Sequence, residues 1–116
     1  MTNLEYAPKG LIGVLTPQAN TTVEPEFAIL RPPGYAMLNA RLTSPHSTIE
    51  ARLRDYWATT ETSLDQFANA PISAAAFACT GATYLAGKDE EDALVARIEN
   101  ARGYPLSLPR WRCAMH

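Results

Sequence analysis

The sequence predicts an α/β protein built on an open parallel sheet of three to four strands with flanking helices. Short apolar runs at 10–16, 35–43 and 71–79 are bounded by Pro and Gly residues, as is typical of buried strands. Segments with helical periodicity or helix-start residues separate these runs. Strands that alternate with helices are joined by right-handed crossovers into a parallel sheet, and the alternation therefore predicts this fold class.

Composition restricts the class of protein further. The 116 residues, 47% hydrophobic and 19% charged, are typical of one globular domain with a real core. A net charge of -2 gives no reason to expect nucleic acid or an anionic membrane as a partner. No run approaches the roughly 20 apolar residues of a membrane helix, and the N-terminus lacks signal-peptide features. Two distant cysteines without zinc spacing predict a metal-free protein of the reducing cytoplasm.

The first helix is expected directly after the first strand. Asn20, Thr21 and Thr22 are all good cap residues, and acidic side chains follow where the helix dipole favours them. Phe27 and Leu30 should face the sheet before the Pro-rich segment at 31–34 ends the helix.

The second and third helices have the clearer periodicity. A capping box at 47–50 predicts a long helix that reaches Ala68, and an acidic first turn at 89–92 predicts a helix that ends at Gly103. A fourth strand should begin near Tyr104. The residues expected to face the core are Ile49, Leu53, Tyr56, Trp57, Leu64, Phe67, Ala68, Leu94, Ile98 and Ala101.

The chemistry is expected at the carboxyl ends of the strands, where open parallel sheets bind ligands. Three loops should meet there, at 16–22, 43–47 and 79–83, and all three are rich in hydroxyl and amide groups suited to a carboxylate or phosphate. Cys79 lies among them, which favours an enzyme acting on a small carboxylic acid. An ordinary packed thiol is an equally good interpretation. His46 is a candidate general base, although a solvent-facing loop histidine is the favoured interpretation.

Two segments resemble the motifs of one enzyme family. Residues 13–26 read GVLTPQANTTVEPE, which is similar to the first-strand motif of the maleate cis-trans isomerase and arylmalonate decarboxylase branch of the aspartate/glutamate racemase superfamily. Residues 78–82 read ACTGA and resemble the A-C-T-S-G segment after the third strand of that family. Here the serine is missing, and Gly81 stands one place earlier. The resemblance covers about residues 9 to 106.

This resemblance implies a flavodoxin-like half of a racemase-type fold, without metal or organic cofactor. In that family one cysteine from each half faces the substrate. Cys79 would be the first-half nucleophile or acid/base, and Asn20 would orient the substrate carboxylate and the cysteine. The other implied substrate-binding residues, which offer donors or shape the pocket floor, are Pro17, Thr21, Thr22, Thr80 and Gly81.

The chain departs from the family in length. Family members are about twice as long, and their second cysteine lies in the half that is missing here. Cys113 has no strand-end context that would let it replace that cysteine. We therefore expect a racemase-type α/β domain at 1–106, followed by an atypical tail at 107–116 that results from truncation or from a frameshift near Leu106.

The predicted function is a cofactor-independent isomerase or racemase of a small (di)carboxylic acid such as maleate or aspartate. The second cysteine would come from a missing half or from another chain of a homo-oligomer. The first alternative is a truncated, non-catalytic fragment that only binds a small anion. The second is an arylmalonate decarboxylase-like enzyme, although those enzymes lack the first-half cysteine. A flavodoxin-like phosphate-binding domain is a weaker alternative, since no glycine-rich cradle is present.

Overall fold

A computed structural model describes residues 2–109, which form helices around one parallel sheet. The strands are β1 (Gly10–Pro17), β2 (Tyr35–Leu42), β3 (Ala74–Phe77) and β4 (Leu106–Ser107), in the spatial order β2-β1-β3-β4. Every neighbouring pair is parallel. The predicted fold class is therefore confirmed.

The helices are α1 (Val23–Leu30), α2 (Ile49–Ala58), α3 (Thr60–Leu64), α4 (Thr80–Ala86) and α5 (Lys88–Arg102), with a 3₁₀ turn at Asp65–Phe67. Within residues 2–109, no helix has the length and apolar character needed to cross a membrane. Helix α5 ends at Gly103 in the left-handed region (φ 78°), as predicted from the glycine.

The predicted long second helix is wrong, because the chain breaks at Thr59 into α2 and α3. The hydroxyls of Thr59 and Thr60 donate back to backbone carbonyls one turn earlier, including Asp55 O at 2.8 Å and Tyr56 O at 2.9 Å. Such local bonds compete with the regular helix ladder and favour a bend. The cap was also misplaced by one residue, since Thr48 accepts from the Ala51 N–H at 3.3 Å.

Four residues expected to face the core are exposed. Leu30 is 78% exposed and Ile49 is 68% exposed, and Ala68 and Ala101 also lie on the surface. Helix α1 has no buried residue at all. The reason is that periodicity identifies the apolar side of a helix but not how closely the helix packs on its sheet.

The main core lies between the sheet and the helices α2 to α5. It contains buried residues from every strand, including Leu15, Leu42, Phe77 and Leu106. Trp57 of α2 is half-buried and packs edge-on against Phe77, with ring centroids 5.7 Å apart. This layer fixes the position of α2 over the sheet.

The fourth strand, predicted near Tyr104, is present as β4. Ser107 pairs in register with Ala76, and Leu108 is 5% exposed, so the domain boundary expected at residue 106 falls inside an element that belongs to the sheet and core. The remainder of the expected tail, residues 110–116 with Cys113, lies outside the described residues.

Candidate functional site at the carboxyl edge of the sheet

The carboxyl ends of the parallel strands define the candidate site. Strand β1 lies between β2 and β3. The chain therefore runs from β1 to β2 on one side and then crosses from β2 to β3 on the other side. The ends of β1 and β3 are therefore the topological switch point of the sheet, which is where doubly wound sheets bind their ligands. The Ala78 N–H donates to Leu15 O at 2.9 Å and keeps the two strand ends adjacent.

The loop after β1 is shaped by Asn20. Its backbone N–H donates to Pro17 O at 3.0 Å, which closes a turn. Its Oδ1 accepts from the backbone N–H groups of Thr22 and Val23, both at 2.9 Å, so this side chain satisfies the start of α1. The oxygen is therefore occupied. The Nδ2 group makes no hydrogen bond within residues 2–109, and it is the atom that a carboxylate would meet.

Arg41 of β2 holds this loop in place, a role that the sequence analysis missed. Its Nη1 donates to Asn20 O at 2.7 Å and Pro17 O at 3.1 Å. Its Nη2 pairs with the carboxylate of Glu24 in α1. Because Glu24 balances the charge and loop carbonyls take up the donors, Arg41 is a positioning residue rather than an anion ligand. An arginine inside a strand opposite an acidic helix start was the available signal.

Cys79 follows β3 and is the N-cap residue of α4. Its side chain is 8% exposed and packs in the core with Phe77 and Ala82. Burial raises the pKa of the thiol, while the backbone N–H groups of Ala82 and Gly81 act in the opposite direction. These N–H groups form no regular cap hydrogen bond with the sulfur. Burial therefore has the larger effect on the pKa, and the thiol is neutral at pH 7.

The segment after Cys79 is helical, which corrects the loop expected at 79–83. Helix α4 has two turns, and Gly81 fits against α2 because a Cβ at this position would lie 3.1 Å from Leu53 Cδ1. A glycine at each end of so short a stretch hides it from a search for helical periodicity.

The predicted site residues are thus distributed over two neighbouring strand ends. Pro17 and Asn20 share one turn, and Cys79, Thr80 and Gly81 begin α4. Within the described chain, no hydrogen bond joins the two groups. The exposed members of the set are Thr21, Thr22 and Thr80, and the half-buried members are Pro17, Asn20 and Gly81.

The loop after β2 contributes a third polar cluster. Asp55 Oδ2 accepts from Ser44 Oγ at 2.6 Å and lies 2.7 Å from His46 Nδ1. The Ser44 N–H donates to Gln18 Oε1 at 2.7 Å, which ties this loop to the loop after β1. The hydrogen bonds from Ser44 and His46 lower the pKa of Asp55, so its carboxylate stays ionised. His46 was considered from sequence, but its partners were not.

Among residues 2–109, no group of three or more His, Cys, Asp or Glu side chains is placed to hold a metal ion. The fold is that of an open parallel α/β protein, and the carboxyl ends of its strands form a candidate site for a small anion. A scan against known protein-family models and a search of curated proteins found no match.

Proposed function

We propose that this chain supplies the first half of an active site for cofactor-independent isomerisation or racemisation of a small carboxylic acid such as maleate or aspartate. The observation that supports the proposal is a buried thiol and an unoccupied carboxamide donor on adjacent strand ends at the sheet's topological switch point. The family resemblance of the same two segments agrees with this assignment. A reducing cytoplasm would keep Cys79 as a thiol.

In this proposal Asn20 Nδ2 binds the substrate carboxylate, and Thr80 adds an exposed hydroxyl at the start of α4. Burial raises the pKa of Cys79, so the residue enters the reaction as a protonated thiol. In racemisation its S–H proton would pass to the substrate carbon, and the thiol would become a thiolate. A second acid/base group must act from the opposite face of the substrate carbon.

The second candidate function is binding of a small anion without turnover. The observation in its favour is the close packing of Cys79, which is 8% exposed and belongs to the core cluster. A thiol held in this way can be structural, while the polar loops at the strand ends still offer donors to a carboxylate.

Proton NMR of the purified full chain separates the two candidates. The samples contain maleate, or L-aspartate in D₂O, so that fumarate formation and α-proton exchange are both visible. We expect turnover that Cys79→Ser abolishes and that Cys113→Ser, the matched cysteine control, retains. Turnover that survives Cys79→Ser would refute the catalytic assignment. A folded protein that binds maleate but converts neither acid would support the second candidate.

A further inference from the structure

The cluster after β2 contains an imidazole held on only one side. His46 Nδ1 lies 2.7 Å from Asp55 Oδ2, and the imidazole is 55% exposed. Nε2 makes no hydrogen bond within residues 2–109. An ionised carboxylate beside Nδ1 accepts a hydrogen bond from Nδ1–H. In this tautomer Nε2 carries a lone pair that is open for proton transfer.

The loop does not need this imidazole as its anchor. Ser44 Oγ already bonds Asp55 at 2.6 Å, and Gln18 holds the Ser44 N–H. On the far side of the loop, the guanidinium of Arg52 donates to Ser47 O at 3.1 Å. The charged groups that contact this loop are thus Asp55, at the imidazole, and Arg52, at Ser47 O, while the loop after β1 contributes the neutral Gln18.

The position of His46 in the fold relates it to Cys79. His46 follows β2 and Cys79 follows β3, so the two residues flank the end of the central strand β1 and its loop. Strands on either side of a central strand lie about 10 Å apart, twice the inter-strand spacing. Helix α2 carries Asp55 and also packs through Leu53 against Gly81, the second residue after Cys79. The thiol and the imidazole therefore follow the two strands that lie on either side of β1, whose loop would hold the small acid.

We propose that His46, oriented by Asp55, is the second acid/base residue of this site and faces a small carboxylic acid through Nε2. The inference rests on the proposed function for the choice of ligand. In racemisation of an amino acid such as aspartate, Nε2 takes the α-proton, so that the C–H bond breaks, an N–H bond forms and the electron pair moves into the substrate carboxylate. Cys79 then donates its S–H proton to the opposite face of the carbon. Transfer of one proton from imidazolium to thiolate through solvent restores both groups.

The first test is kinetic and uses an isosteric variant. His46→Asn keeps an N–H donor where Nδ1 meets Asp55 but removes Nε2, and it should lower α-proton exchange on aspartate by about 100-fold or more. Arg52→Met removes the other loop anchor and should leave turnover near the wild-type rate. Wild-type turnover in His46→Asn would overturn the proposal, as would an equal loss in Arg52→Met, because the effect would then come from the loop.

The second test does not depend on turnover. Nitrogen-15 NMR of the imidazoles follows a titration with maleate, and His116, the other histidine of the chain, is the internal reference. We expect a saturable shift of the His46 Nε2 signal with no comparable shift at His116. If this shift occurs but no turnover is seen, His46 is supported as the residue that faces the ligand, and the proposed catalytic function fails. An unresponsive His46, or equal shifts at both histidines, would overturn the proposal even in an active enzyme.

Discussion

Replacing Arg41 tests the packing that holds the candidate site. Arg41→Met keeps the apolar stem but removes two hydrogen bonds to loop carbonyls and the ion pair with Glu24. A bond to a charged donor contributes about 1.5–3 kcal/mol when it is buried. The guanidinium is 36% exposed, so water replaces part of each bond and the ion pair adds little. We expect the free energy of unfolding to fall by about 1–2 kcal/mol, the value left after this discount.

Urea denaturation followed by circular dichroism measures this loss, and Arg31→Met is the matched control. Arg31 is exposed and donates to a single carbonyl, Tyr35 O at 2.8 Å, outside the site loop. Its removal should change the midpoint very little. Amide exchange at Asn20, whose N–H bonds Pro17 O, should accelerate only in Arg41→Met. Equal midpoints and equal Asn20 exchange in the two variants would refute the positioning role.

Three further predictions concern the core and Cys79. In Gly13→Ala the new Cβ would lie 2.9 Å from Phe67 Cε2, so overpacking should lower the free energy of unfolding, measured by urea denaturation, by about 1–3 kcal/mol. An unchanged midpoint would mean that the ring moves aside freely. Glu91 is 2% exposed and its Oε1 has no hydrogen-bond partner among residues 2–109, so Glu91→Leu should raise the unfolding free energy by about 1–3 kcal/mol, and a loss of stability would contradict this. The pKa of Cys79 is raised above its ordinary value of 9.0, so folding favours the protonated thiol. Its contribution to stability is therefore complete below pH 9.0 and is lost as the pH rises through the folded pKa. Thermal melts at a series of pH values should show that stability declines more steeply at alkaline pH in wild type than in Cys79→Ala.

The sequence by itself determined the parallel α/β class and the positions of the four strands. Buried strands in such a sheet are short apolar runs bounded by Pro or Gly, and that pattern is local. The end of α5 was equally predictable from the sequence, because a helix that stops at Gly103 uses a conformation that glycine adopts without a steric cost. Because all strands of the sheet are parallel, the loops that follow them had to share one edge.

Only the tertiary structure decided which groups meet at that edge. The partners of Arg41 lie 17 to 24 positions away in the chain, and His46 meets Asp55 across the start of α2. Long-range polar contacts of this kind leave no periodic trace in the sequence. The same holds for Cys79, since the extent of its burial depends on how α2 and α4 pack over the strand ends. The sequence placed a thiol at the end of the third strand, and the packing around it buried the thiol and raised its pKa.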